Sequence, residues 1–368
     1  MFFRIAVFLV LFVSVGLGVV SAQEDSPAMT YDKALACVEA VLPAEMYSTN
    51  EYLPSAEDLA DTTPFEGEVA HLSVGMPWIL NDEEAAFYNA VELGFYAQEG
   101  LEVELVPGGP GINQLLILGG GATDIAVPAA GGDIPFAWAS PTPLQSVAVG
   151  TINKLGQYAY LTTDPELIGK ELTPQDLIGT TVYTQQGGAL YTQILLDQYE
   201  IPRDSVTIID TAGFSPDAIM TNPEGVRKVV YTAWLSNQPR ALEAEGFEWN
   251  ALRYGDWAHT EYTDVIAVLA ETLETEEGRD LVQRFMRATY RGLDYLVENP
   301  EESADIAVEY AVDADLTVDQ ALWRFGIQED QNLIVGNDDL GLMAMDPAVW
   351  NQTVATMLQY GQLELQCN

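Results

Sequence analysis

Residues 69–106 read VAHLSVGMPWILNDEEAAFYNAVELGFYAQEGLEVELV, and the fold is decided here. Ala70 to Val74 is a short strand. Glu83 to Leu93 has helical spacing and stops at Gly94, a residue that closes helices at little steric cost. Leu101 to Val106 alternates as a strand, and Pro107 with Gly108-Gly109 stops it. Further on, Ile112 to Leu118 opens a helix and Asp124 to Val127 a third strand. This β-α-β-α-β order predicts a largely parallel sheet with helices on its faces, an α/β fold.

A second unit follows. Tyr158 to Thr162, Thr181 to Thr184, Val206 to Asp210 and Val229 to Ala233 read as strands, with a helix over Leu190 to Tyr199. Val265 to Ala270 is again strand-like and is expected to return the chain to the first unit. Beyond it the chain is helical. Apolar residues recur at three and four over Leu281 to Leu296. Asn299 then caps a helix with Pro300 at its first position and Glu302 three residues after the cap, and Asp346-Pro347 starts the last helix.

Ahead of the α/β pattern, residues 1–22 read as an export signal: Arg4, an uncharged apolar run, then Val20-Ser21-Ala22 before Gln23. A retained anchor is the rival reading. Residues 23–68 read as a leader segment outside the main fold, with a short helix from Tyr31 to Val41. The sequence holds 56 acidic and 14 basic residues, a formal net charge of −42. So negative a chain is not expected to bind nucleic acid or anionic membrane. Cys37 and Cys367 sit near opposite ends. In an oxidising compartment they are candidates for a disulfide, and two unpaired thiols are the alternative.

Ligands of open parallel sheets bind beyond the carboxyl ends of the strands. Three segments leave a strand there. The first, residues 76–88, holds Trp78, Phe87 and Tyr88 for ring stacking, Asn81 to donate and accept, and Glu84. Helix capping competes for Asn81 and Asp82, a first-turn role for Glu84, and the core for Trp78. The second, residues 183–191, runs Gln185, Gly187 and Gly188 into a helix carrying Tyr191, so that backbone N–H groups face a ligand. No Lys follows, so it is no nucleotide loop. The third carries Trp234 and Asn237 after a strand, with Trp257 at a similar place further on.

Catalytic patterns are sparse. His71 and His259 are the only histidines. Neither has a nucleophile motif beside it, and there is no metal-like His or Cys spacing. No cofactor is expected. Arg284, Arg287 and Arg291 share a helical face, and balancing nearby carboxylates is the first reading.

Several segments together resemble the binding proteins of ABC importers for thiamine pyrimidine precursors, aliphatic sulfonates, nitrate and riboflavin. They are Trp78-Ile79-Leu80-Asn81, residues 94–103 (GFYAQEGLEV), residues 120–127 (GGATDIAV), residues 285–289 (FMRAT) with Gly292, and residues 345–350 (MDPAVW). The resemblance covers residues 69–362. It implies a two-lobe clamp of the type II periplasmic-binding class. Residues 69–155 and 260–362 would form one lobe, residues 156–259 the other, and 363–368 a tail. It further implies a periplasmic or extracellular monomer that captures a small molecule and docks on a membrane permease driven by an ATPase. A fungal branch of the group makes a thiamine pyrimidine from its own His and pyridoxal phosphate, but the cysteine-rich motif of that branch is missing here.

The three loops hold aromatics and amides, and Arg240 is their one basic residue. That mix suits a flat, neutral, hydrogen-bonding ring, a thiamine pyrimidine precursor first and riboflavin second. Sulfonate or nitrate stays open, because helix N-termini hold anions without basic side chains. An uncoupled ligand sensor is the alternative role.

Overall fold

The computed structural model describes residues 29–109, 111–184, 188–211, 228–311 and 316–367. The expected export signal lies outside them. Among the described residues ten strands form two sheets. They are β1 (Ala70–Gly75), β2 (Leu101–Val106), β3 (Ile125–Ala126), β4 (Ser146–Asn153), β5 (Tyr158–Thr162), β6 (Thr181–Thr184), β7 (Thr207–Asp210), β8 (Val229–Trp234), β9 (Asn250–Arg253) and β10 (Thr263–Leu269). The first sheet has the order β2-β1-β3-β10-β4 and the second β7-β6-β8-β5-β9. The chain therefore crosses between sheets after β4 and returns before β10.

Those crossings explain the departure from a parallel sheet. β1 pairs parallel with β2 and β3, as the β-α-β reading requires. β4 leaves the first lobe at its carboxyl end, and β10 re-enters beside it, so β10 runs antiparallel to both β4 and β3. In the second sheet β6 is parallel to β7 and β8, while β5 is antiparallel to β8 and β9.

β10 is covered on both faces. Ile266 and Val268 enter one core with Phe285 and Met286, while Val265 and Ala267 enter another with Trp350 and Val354. A strand buried on both sides loses its polar alternation, which is why residues 265–269 read as one apolar run. β4 and β9 were not anticipated. β4 is interrupted by Gly150, which reads as a break, yet a Cβ there would stand 2.5 Å from Met286 Cε. That atom is the tip of a flexible side chain on the long helix Glu276–Glu298, which packs against the sheet there.

The leader is not outside the fold. Ala34, Cys37, Val38, Leu42 and Tyr47 are buried in the core that holds Val354 and Leu358. The apolar stripe of helix Tyr31–Val41 is covered by helix Pro347–Gln359. The following chain then lies along β4, with Ala148 N–H donating to Tyr47 C=O (2.8 Å) and Thr49 N–H to Ala148 C=O (2.9 Å). An otherwise open sheet edge is thereby occupied. Cys37 and Cys367 are disulfide-bonded, with Cα atoms 5.4 Å apart.

On helix Glu276–Glu298 the three arginines serve structure. Arg287 makes two 2.7 Å bonds to the Glu99 carboxylate, and Arg291 adds a third at 3.2 Å. Arg284 donates to Glu99 C=O (2.6 Å). Asn299 does precede helix Pro300–Tyr310, but its side-chain amide donates back to Tyr295 C=O (3.3 Å) rather than capping. Among the described residues no helix is long and apolar enough to cross a membrane.

Candidate functional site

Between the sheets lies a cleft with about 580 Å3 of atom-free space, counting the part open to solvent. The first lobe contributes Trp78, Glu83 and Asp264, and the second Trp234, Asn237 and Gln238. A space of this size suits a small molecule.

Trp78 is 41% exposed and stands in the loop after β1. Its carbonyl accepts from Gly108 N–H (2.8 Å), which ties the loop after β1 to the loop after β2. A Cβ on Gly108 would meet Met76 O at 2.4 Å, so only glycine allows this approach. Trp234 ends β8. Its N–H donates to the Gln238 side chain (2.6 Å), and a tight turn brings Asn237 N–H onto its carbonyl (3.0 Å). Two indoles on opposite lobes thus border one space.

The floor is ionic. Asp82 has no exposed side-chain surface, and it pairs with Arg324 of the first lobe and Arg240 of the second, each at 2.8 Å. Arg240 also donates to Gln320 C=O (3.0 Å), and Arg324 to Ser236 Oγ (3.0 Å). Both arginines therefore bind across the lobes beside the cleft. Arg240, the one basic residue of the three loops, is spent on Asp82 and not aimed at a ligand.

A second recess of about 300 Å3, counting space open to solvent, adjoins Trp234, where both crossings pass. Tyr158, Tyr191, His259 and Glu261 line it. Glu261 joins the lobes, accepting from Gly132 N–H (2.7 Å) on one side and Tyr191 O–H (3.1 Å) on the other. Burial pushes the Glu261 carboxyl up to about 7, against the hydrogen bond from Gly132. Burial also pushes neighbouring Asp133 up to about 6, and His259 down to about 4.

Of the residues expected from sequence, the structure gathers Trp78, Trp234 and Asn237 in the cleft and Tyr191 in the adjoining recess. Gly188 begins helix Gly188–Gln198, and its carbonyl accepts from Tyr158 O–H (3.3 Å). Gln185 and Gly187 lie outside the described residues. Five others are placed elsewhere. Asn81 caps the next turn, accepting from Glu83 N–H (2.9 Å) while donating to Ile79 C=O (2.8 Å), and its oxygen also accepts from Arg324 (3.4 Å). Glu84 is 1% exposed and reaches back to Asn81 N–H (2.9 Å). Phe87 and Tyr88 are core residues, because helix Ala85–Glu92 is enclosed over most of its circumference. Tyr88 stacks on Tyr310 at 4.7 Å. Trp257 packs on Tyr199 at 5.7 Å and lines neither recess.

Sequence reasoning missed Glu83, Gln238, Asp264 and Glu261. For the first, a signal was present. Asn81 followed three residues later by Glu84 is a capping box, which commits Glu84 to the backbone. The turn Asp82–Glu84 is a 3-10 helix, not the start of a regular one, and Glu83 is the acid it leaves facing the cleft. Asp264 had no such signal, since it sits among apolar residues in β10.

Two lobes joined by two crossings, with a small-molecule cleft at the carboxyl ends of their strands, define a clamp-type binding protein. The periplasmic aliphatic sulphonate binding protein SsuA from Escherichia coli has this fold. It superposes with a TM-score of 0.55 over 81% of this chain and 92% of its own, at 14% identity. Residues 81–303 match the family described as NMT1/THI5 like, and the chain belongs to that family. Two relatives are each 26% identical. The formylaminopyrimidine-binding protein of Halalkalibacterium halodurans aligns over 64% of this chain and 69% of its own length. The riboflavin-binding protein RibY of Chloroflexus aurantiacus aligns over 84% and 87%.

Proposed function

We propose that this chain is the extracytoplasmic substrate-binding component of an ABC importer and that its ligand is a small flat heterocycle such as a thiamine pyrimidine precursor. The observation that carries the reading is the pair of indoles, Trp78 and Trp234, set on opposite lobes around one cleft. A planar ring held between two aromatic faces gives both lobes a reason to close on the same molecule. Relatives that are named for a pyrimidine and for riboflavin support a ring. Sulfonate and nitrate fit less well, since no Lys or Arg lines the cleft among the described residues and two carboxyls do. The closed, liganded clamp would dock as a monomer on a permease with its ATPase.

The test is a thermal-shift screen of the exported form against aminopyrimidines, thiamine, riboflavin, taurine and nitrate. A ligand at 100 times its Kd stabilises the protein by about 2.7 kcal/mol. An aminopyrimidine is expected to give the largest shift, and a shift with taurine or nitrate alone would refute the reading. Chromatography of the recovered ligand is expected to return it unchanged, as a binder requires and an enzyme does not.

A further inference from the structure

At the cleft, acids outnumber the arginines that reach them. Four carboxyls, Asp82, Glu83, Glu84 and Asp264, act on or are acted on by the Arg324 guanidinium. Asp82 takes the close contact, and Arg240 spends its charge on Asp82 as well. Glu84 is turned into the cap of its own helix. Glu83 and Asp264 remain, and both line the cleft. Arg324 is no nearer to Glu83 than 3.8 Å, and among the described residues no donor reaches the Glu83 carboxylate at hydrogen-bond distance. Asp264 is 3% exposed, and one of its oxygens accepts from Asn153. Its backbone is left-handed (φ +55°) near the start of β10, held by its N–H donating to Ala129 C=O (3.2 Å).

We propose that the cleft selects a ligand with a planar, positively charged edge carrying two adjacent N–H donors, such as an amidine or a protonated aminopyrimidine, which Glu83 and Asp264 accept together. This deepens the reading of the cleft as a ring-binding site and rests on it. The indoles recognise the ring by its face and the carboxyls recognise it by its edge. Burial pushes the Asp264 carboxyl well up, with the Glu83 charge adding to the rise, and burial raises Glu83 against the pull of Arg324. Two crowded acids lacking a cation are what a cationic guest relieves.

Benzamidinium and benzamide separate the ideas, being nearly the same shape with and without the charge. Titration calorimetry of the wild type is expected to show benzamidinium binding at least tenfold tighter than benzamide. Glu83→Gln with Asp264→Asn is expected to erase that preference. The same double variant without ligand is expected to melt at or above wild type, since isosteric amides remove the crowding of two buried acids and Asn accepts a left-handed backbone. Equal affinity for the two probes, or a double variant that melts lower because the fold already satisfies the carboxyls, would overturn the proposal. If no pyrimidine or flavin binds while benzamidinium still does through these acids, the heterocycle reading fails and this one stands. If riboflavin binds wild type and double variant alike, the heterocycle reading stands and this one fails.

Discussion

At the scale of single residues, neighbours in the sequence have opposite duties. Trp78 is exposed in the cleft and Phe87 is 1% exposed in the core. Trp78→Ala is expected to weaken ligand binding at least tenfold with little change in melting temperature. Phe87→Ala is expected to cost about 3–5 kcal/mol of stability, read as a lower urea midpoint. The hinge residues make a pH prediction. The Glu261 carboxyl is raised from 4.5 to about 7, so the folded state holds a proton that the unfolded state has lost across that window. Stability therefore falls as pH rises through it, and Asp133 acts in the same direction. His259 is lowered from 6.5 to about 4, so its contribution rises with pH across that range. The two slopes oppose each other in the wild type. Glu261→Gln is expected to unmask the rise, changing the pH 4.5-to-7 difference in unfolding free energy by on the order of 3 kcal/mol. Superimposable pH profiles of the two proteins would rule this out.

At the scale of elements, what was legible follows from how each element is solvated. Elements with one wet face keep their periodicity: β2 was read with its observed ends, and helix Glu276–Glu298 was read from Leu281, its polar first turns lying ahead of the apolar stripe. β4 was lost to Gly150 and β9 to its shortness, four residues at a sheet edge. The leader helix carried its apolar stripe in plain view, but a stripe does not say what covers it. The candidate site was half legible. Aromatics at strand ends announced themselves, whereas acids could not be ranked in a chain with 56 of them. Helix Val318–Asp330 contributes an element-scale prediction. Its Arg324 is 2% exposed and holds the fully buried Asp82. Arg324→Ala is expected to cost about 3–5 kcal/mol, because a buried carboxylate is left with too little compensation. Denaturant titration at pH 7 measures it.

At the scale of the whole molecule, both ends of the described chain belong to the lobe of the first sheet. Helix Tyr31–Val41 and helix Pro347–Gln359 pack together, and the Cys37–Cys367 bond fastens them. Changing both cysteines to serine is expected to lower unfolding free energy by about 2–5 kcal/mol, read by urea denaturation against the oxidised wild type. Among the described residues the second lobe is tied to the first by the crossings and by contacts such as Arg240 with Asp82 and Arg253 with Gln331 C=O (2.9 Å). Tyr360, just past the last helix, also packs against the core of the second lobe.

The bond between Cys37 and Cys367 also makes residues 37–367 a covalent ring. A ring cut once is still one molecule. Limited proteolysis at any single loop between those cysteines is expected to leave the apparent mass unchanged on a non-reducing gel and to release two fragments only after a thiol is added. The same closure means that new chain ends, opened at a surface loop with the old ends joined by a short linker, should give a permuted protein that still folds.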